Sequence, residues 1–172
     1  MALPRPSGTA TGSRLRLDPA ALSHEPSALG RYLDLWRHAR ATDSVHLLAR
    51  LQARGLDRHI LIVDHDARTG EFVFRYFGAG LAFVDAHARA ALIGVSPWAF
   101  GDTSTVRTAA EGWHAAMGAD RPLAELVDMP RLDAAGRPLR APFRRLVLPI
   151  PVNQRTTRIV VASELLQPAS EN

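Results

Sequence analysis

The side chains that could do chemistry in this chain are histidines, carboxylates and arginines, because the sequence contains no cysteine. No two of its seven histidines stand in the HExxH arrangement of zinc hydrolases. His59, Asp64, His65 and Asp66 cluster at the two ends of one apolar run, but adjacent strand residues point to opposite faces. The sequence also lacks a nucleophile elbow, a Walker A loop and a dinucleotide-binding fingerprint. We therefore predict no metal site, no catalytic residue and no enzyme activity.

Arg75 is the most informative charged residue, because it interrupts the aromatic segment 72–77. A charge buried without a partner would be costly. Two interpretations follow: Arg75 binds an anionic ligand through bidentate hydrogen bonds, or it is structural. A structural Arg75 would pair with Asp64 or Asp85, or extend to the sheet edge. Arg145, in another apolar segment near the end of the chain, presents the same choice.

The composition is that of a globular protein of one domain. The chain has 172 residues, 47% of them hydrophobic and 22% charged. The chain has 21 arginines and no lysine. The arginines are scattered along the sequence, and only Arg144 and Arg145 are adjacent. Nucleic-acid binders usually concentrate charge on one face, so nucleic acid is the weakest candidate partner. No apolar run approaches a membrane span, and the N-terminus lacks a signal-peptide core, so we expect a cytoplasmic protein without a membrane segment.

The chain divides by its patterns into four parts. Residues 1–26 are predicted to be a disordered leader, 27–56 a helical segment, 57–166 the main domain, and 167–172 a flexible tail. The apolar side chains Leu29, Leu33 and Trp36 fall at helical spacings of four and three. This stripe is either a surface for a partner or a second copy, or the face of a helix packed on its own sheet.

The order of elements in the main domain, two strands, then short helices, then three strands, is typical of the α+β class. Predicted strands cover 59–65, 71–78, 121–132, 139–150 and 158–165, and predicted helices cover 81–92 and 103–117. The loop 66–70 has the chemistry of a hairpin turn, and 133–136 reads as a second turn. We expect five antiparallel strands with helices on one face, preceded by the N-terminal helical extension.

Five short motifs, in this order, resemble a family of small single-domain bacterial PAS-like proteins. They are Leu33–Trp36, Ile60–Asp64, Phe74–Gly78, Leu92–Gly94 followed by Trp98, and Arg145–Ile150. The chain departs from the family pattern at Ala41–Ser44, where a Pro-Ser-Arg stretch is usual, and at Pro151–Gln154, where an acidic-glycine turn is usual.

The resemblance implies a ligand pocket between the inner face of the sheet and the central helices. The candidate pocket residues are Phe74, Arg75, Tyr76, Trp98, His114 and Arg145. The alternative for the aromatic side chains among them is that they fill the hydrophobic core and line no pocket. Some PAS domains hold haem through a histidine, which His114 or His87 could supply here, although nothing else marks a haem site. The absence of cysteine excludes thiol-adduct flavin chemistry.

The resemblance implies a stand-alone sensory or regulatory module. It would bind a small molecule or a partner protein and act through protein–protein contacts, with the N-terminal helix as a candidate homodimer or partner surface. The alternative is a small α+β enzyme or carrier with a cone-shaped pocket and a His/Asp pair acting in acid–base chemistry.

Overall fold

The structure is a computed structural model that describes residues 13–24, 27–42, 46–81, 86–100, 104–128, 130–132, 138–140 and 142–166. Its strands are β1 Ser13–Leu17, β2 Ile60–Asp66, β3 Phe72–Phe77, β4 Leu123–Asp128, β5 Pro130–Leu132, β6 Pro138–Arg140, β7 Phe143–Pro151 and β8 Thr156–Leu165. Its helices are α1 Pro19–Leu22, α2 Ala28–Thr42, α3 Leu47–Ala53, α4 Ala86–Leu92 and α5 Ser104–Ala119, with a 3₁₀ turn at Pro97–Phe100. The predicted tail 167–172 and the whole of the predicted turn 133–136 lie outside the described residues.

The α+β class and the antiparallel sheet are confirmed, but the sheet has six strands in the order β1-β4-β7-β8-β2-β3 instead of the predicted five. Every neighbouring pair in it is antiparallel. The segment predicted as one strand over 121–132 divides into β4 and β5, and the segment 139–150 divides into β6 and β7. β5 and β6 pair with each other as a separate two-stranded ribbon.

The sixth strand, β1, lies in the stretch predicted to be a disordered leader, so that prediction is wrong for residues 13–24. β1 pairs with β4 from Ser13 opposite Asp128 to Leu17 opposite Ala124. α1 follows, with Asp18 accepting a hydrogen bond from the Ala20 amide at 2.9 Å as its N-cap. Pairing with the distant β4 holds β1 in the sheet. A mostly exposed strand of five residues has no hydrophobic pattern from which the sequence could predict it.

The hairpin between β2 and β3 follows the sequence prediction. The Asp66 Oδ1 atom accepts hydrogen bonds from the backbone amides of Arg68 at 2.7 Å and Thr69 at 3.3 Å. Gly70 completes the turn at a φ of 73°, in the left-handed region that glycine enters without strain. This turn is local in sequence, so its residues were sufficient to predict it.

Helices cover both faces of the sheet, whereas the sequence pattern predicted helices on one face. The outer face carries Leu146, Leu148 and Ile150 of β7 and packs against α1, α2 and α3. The inner face carries Val147 of β7 with Ile159 and Val161 of β8, and packs against α5. Because adjacent strand residues point to opposite faces, strands that are apolar at every position require cover on both sides.

The N-terminal helical segment forms the outer layer. Leu29 and Leu33 of α2 are buried to 1% and 2% exposure in the outer core. Trp36 packs against the same core and donates a hydrogen bond from Nε1 to the Pro149 carbonyl of β7 at 2.7 Å. The predicted partner or dimer surface is therefore corrected, because these side chains pack on the chain's own sheet, the alternative given for the stripe.

Candidate ligand-binding site

The inner face of the sheet holds an aromatic core beneath α5. Phe72 and Trp113 meet with ring centroids 5.0 Å apart, and Phe74 and Phe77 meet at 4.8 Å. Trp113 belongs to the inward stripe of α5 with Ala109, Ala110, Ala116 and Met117, which follow helical spacing. Small alanines beside one tryptophan let the helix approach the sheet while the indole fills the space between them.

Trp113 is the unusual member of this core, because its indole N–H is buried and no described residue offers it a hydrogen-bond acceptor. The residue is 2% exposed, so solvent does not replace the missing partner. A buried donor left unsatisfied costs about 1–3 kcal/mol relative to a satisfied one. A molecule that brings an acceptor atom to this point would recover that free energy.

Two histidines stand at the margin of the same core. The ring of His65, at the end of β2, lies 4.8 Å from the Phe72 ring and 5.9 Å from that of His114 on α5. His114 also contacts Phe72, at 4.9 Å. Burial lowers the pKa of His65 below its usual value, the charge of His114 lowers it further, and Asp66 opposes both.

This arrangement offers two imidazoles beside an apolar core, one of them exposed. The ring contacts of the two histidines are with each other and with Phe72, so they give no support to the predicted His/Asp pair. Nowhere in the described ranges do three His, Asp or Glu side chains gather as metal ligands. His87, the other candidate haem ligand, is exposed on α4.

Arg145 is held by a carboxylate within the inner face. Its Nη2 and Nε atoms lie 2.6 and 2.7 Å from Glu125 Oε2, and Nη2 also donates to the Thr108 carbonyl at 3.0 Å. Burial lowers the pKa of Arg145, and the neighbouring Glu125 opposes that shift. Gly112 makes room for this group, because a Cβ there would lie 2.5 Å from Arg145 Nη2. These contacts favour the structural interpretation.

Arg75 occupies an irregular position in β3. The pairing passes from Ile62 opposite Tyr76 to Val63 opposite Phe74, so Arg75 is an extra residue of the bulge type. Its Nε atom donates to Asp64 Oδ2 at 3.0 Å.

Asp64 is shared by two arginines. It also accepts bidentate hydrogen bonds from Arg158 at 2.8 and 3.0 Å. The bond to Asp64 raises the pKa of Arg158. Asp64 is the partner that the structural interpretation of Arg75 named.

The six candidate pocket residues do not come together as one lining. Phe74 lies in the inner core, whereas Tyr76 packs against the outer core and donates from its hydroxyl to Asp57 Oδ2 at 2.9 Å. Burial raises the pKa of Tyr76, and Asp57 adds to that shift. Trp98 is 41% exposed in the 3₁₀ turn. Of the six, His114 contacts Phe72, and Phe74 belongs to the same inner core as Phe72 and Trp113. Their role in binding stays a prediction.

Sequence reasoning missed Trp113, His65 and Gly112 as parts of this site. Trp113 gives no signal in the sequence, because nothing there shows whether a buried N–H will find an acceptor. His65 was set aside because its neighbours in the chain point away from it. Its partner His114 stands 49 positions later and meets it only in the folded chain. A glycine inside a predicted helix was the one visible signal for Gly112, since glycine there needs a packing reason.

Comparisons with known proteins locate the chain only weakly. No family model matches the sequence, and no curated protein matches it. Among solved structures, an RNA-binding Light-Oxygen-Voltage receptor aligns with 14% identity and a TM-score of 0.46, over 93% of this chain and 40% of the receptor chain. The chain thus spans less than half the length of that receptor, and a likeness of this size assigns neither a ligand nor an activity.

The described helices include none that is both long and apolar enough to cross a membrane.

Proposed function

We propose that the protein is a regulatory module of PAS-like organisation that binds a small molecule beneath α5 and signals through its N-terminal helical layer. The order of elements supports the PAS-like part: two strands, β2 and β3, then a helical middle, then the strands β4, β7 and β8. This is the order expected from the resemblance, with β1 and the β5–β6 ribbon added to it.

The observation that carries the ligand proposal is the unsatisfied indole N–H of Trp113. It lies in the core between the inner sheet face and α5, where the resemblance places a ligand. The complementary ligand has an acceptor atom, such as a carbonyl, ether or ring nitrogen, on an otherwise apolar body, because the neighbours of Trp113 are aromatic and aliphatic. His65 and His114 would form the polar margin of this site.

The proposed output follows from the packing of β7. Its inward residues Arg145 and Val147 face α5, and its Pro149 carbonyl accepts the Trp36 hydrogen bond from α2. A ligand that moves α5 relative to β7 would act on the outer layer through this shared strand. The N-terminal helices α2 and α3 would then present a changed surface to a partner protein.

The first test is native mass spectrometry of the freshly purified protein with an absorbance scan of the same sample. We expect a bound mass that is lost in Trp113→Phe and kept in Trp98→Phe, which changes an exposed tryptophan away from the buried core. The phenylalanine keeps the apolar ring and removes only the N–H, so the variant isolates the hydrogen bond. A bare polypeptide mass in the wild type, unchanged after incubation with cell extract, would contradict the proposed inner site.

A further inference from the structure

A cavity lies on the other side of the molecule from Trp113, between α2 and α3. It is open to solvent and has a volume of about 650 Å³, within the range of small-molecule sites. Its lining consists of Arg31, Asp34, Leu35, His38, Arg50, Arg54 and Leu56. The α2 members recur at spacings of three, one and three, so they share one helix face, while Leu29 and Leu33 of the same helix pack on the sheet.

The lining of this cavity is rich in basic groups. Three of its seven residues are arginines and one is an aspartate. The carboxylate, Asp34, already accepts a hydrogen bond from Arg37 at 3.0 Å. Within the part of the chain that the structure describes, the side chains of Arg31 and Arg54 make no hydrogen bond or ion pair. These two guanidiniums are therefore available to an anion from outside the chain.

Arg31 is the more telling of the two. Arg54 stands at the C-cap of α3, where the helix dipole favours a cation whatever the function. Arg31 stands in the first turn of α2, which begins at Ala28 and has no acidic residue there. The dipole disfavours a cation at that end, so the helix itself gives no reason for this charge.

The floor of the cavity is apolar and fixed in place. Leu35 and Leu56 are buried to 7% and 4% exposure. The Tyr32 hydroxyl donates to the Leu56 carbonyl at 2.6 Å, and burial raises the pKa of Tyr32 to about 12, so this donor keeps its proton. The bond fastens the segment after α3 to α2. A ligand would meet a preformed wall and would not have to order it.

We infer that this cavity binds a small organic dianion, with either a phosphate monoester or two carboxylates on an apolar body. The anionic groups take the guanidinium forks of Arg31 and Arg54, which match both chemistries in a bidentate geometry. The apolar body rests on Leu35 and Leu56. Binding of an anion in this cavity does not require a ligand on the inner face, so this inference can be tested independently of the proposed function.

Isothermal titration of the full chain with phenyl phosphate, phthalate and inorganic phosphate tests this inference. We expect at least one of the two aromatic dianions to bind with a stoichiometry of one, and inorganic phosphate to bind more weakly because it lacks the apolar body. Which aromatic dianion binds more tightly distinguishes the phosphate source from the carboxylate source. Arg31→Ala and Arg54→Ala should each weaken binding about tenfold, since each removes charge-assisted hydrogen bonds.

The control is Arg121→Ala, which removes the same charge from an exposed residue between α5 and β4. It should leave the affinity within about twofold. Arg31→Lys keeps the charge and loses the fork, so it should fall between the wild type and Arg31→Ala. The inference is overturned if neither aromatic dianion binds, if the Arg31→Ala/Arg54→Ala double variant binds like the wild type, or if Arg121→Ala loses as much affinity. Circular dichroism and thermal unfolding of each variant establish that it is folded.

Discussion

At the scale of single residues, three arginines on the faces of the sheet pair with carboxylates, whereas the buried indole N–H of Trp113 has no acceptor among the described residues. Glu125 holds Arg145 on the inner face, and Asp64 holds Arg75 and Arg158. Arg145 is buried, and a buried charge without a partner would cost several kcal/mol, so it needs a carboxylate whatever the function. The Arg75 side chain is 48% exposed and depends less on its partner. The indole N–H of Trp113 is neutral, and leaving it unsatisfied costs less. The fold can therefore tolerate this group unpaired.

His65 gives a prediction for the pH dependence of stability. Its folded-state pKa is lowered below 6.5 by burial and by His114, so the unfolded chain binds this proton more tightly. The free energy of unfolding should fall as the pH drops through 6.5 toward the folded pKa, and the loss is complete below that value. Urea unfolding at several pH values between 5 and 8 measures the slope. His65→Gln should make it shallower.

The matched control for this experiment is His87→Gln, which changes an exposed histidine on α4. Its slope should equal that of the wild type. If His65→Gln and His87→Gln give the same pH dependence, the packing of His65 against Phe72 and His114 does not disfavour its charged form.

At the scale of elements, α5 contains two glycines in different surroundings. Glycine in a helix interior usually costs up to about 1 kcal/mol relative to alanine. At Gly118 a Cβ would meet nothing within 4 Å. At Gly112 it would meet Arg145 Nη2 at 2.5 Å and Glu125 Oε2 at 3.4 Å, so the missing methyl group is what lets this ion pair lie against the helix.

We expect Gly118→Ala to stabilise the protein by about 0.5–1 kcal/mol and Gly112→Ala to destabilise it by about 1–3 kcal/mol. The first variant gains helix propensity alone. The second gains the same propensity but displaces a buried guanidinium from its carboxylate and from the Thr108 carbonyl. Chemical denaturation of both variants gives the two free energies. Equal stabilisation by both would mean that Arg145 moves aside without cost.

Elements that depend on neighbouring residues were predictable, and those that depend on distant partners were not. The β2–β3 hairpin needs Asp66 and Gly70 at the right positions, and both are visible in the sequence. β1 is ordered by β4, more than a hundred residues later. β4 and β5 read as one continuous strand because nothing local showed that β5 would pair with β6 instead of extending the main sheet.

At the scale of the whole molecule, the prediction of helices on one face was wrong although a signal against it was present. Ile60–Val63, Leu146–Ile150 and Ile159–Ala162 are apolar at every position, which is the pattern of strands buried on both sides. The candidate site was predicted less accurately than the fold. Tyr76 and Arg145 were both predicted to line one pocket, yet they lie on opposite faces of the sheet. Which face a strand residue takes depends on the register of the strand, which the sequence does not show.

The two-sided sheet predicts that the outer helical layer and the inner layer unfold together. Leu33→Ala in α2 should cost about 2–5 kcal/mol, because it leaves a cavity in the outer core. β7 contacts α2 on one face and α5 on the other, and β8 contacts α2 while its Ile159 and Val161 belong to the inner core. Amide hydrogens of α5 should therefore lose as much protection as those of α2 in native-state exchange. Arg37→Ala, an exposed change on the same helix, should alter protection by less than about 0.5 kcal/mol. Loss of protection in α2 with α5 unchanged would instead make residues 27–56 a separate unfolding unit, which is the boundary drawn from the sequence. In that case a signal from the inner site could not reach the outer layer through the stability of the sheet.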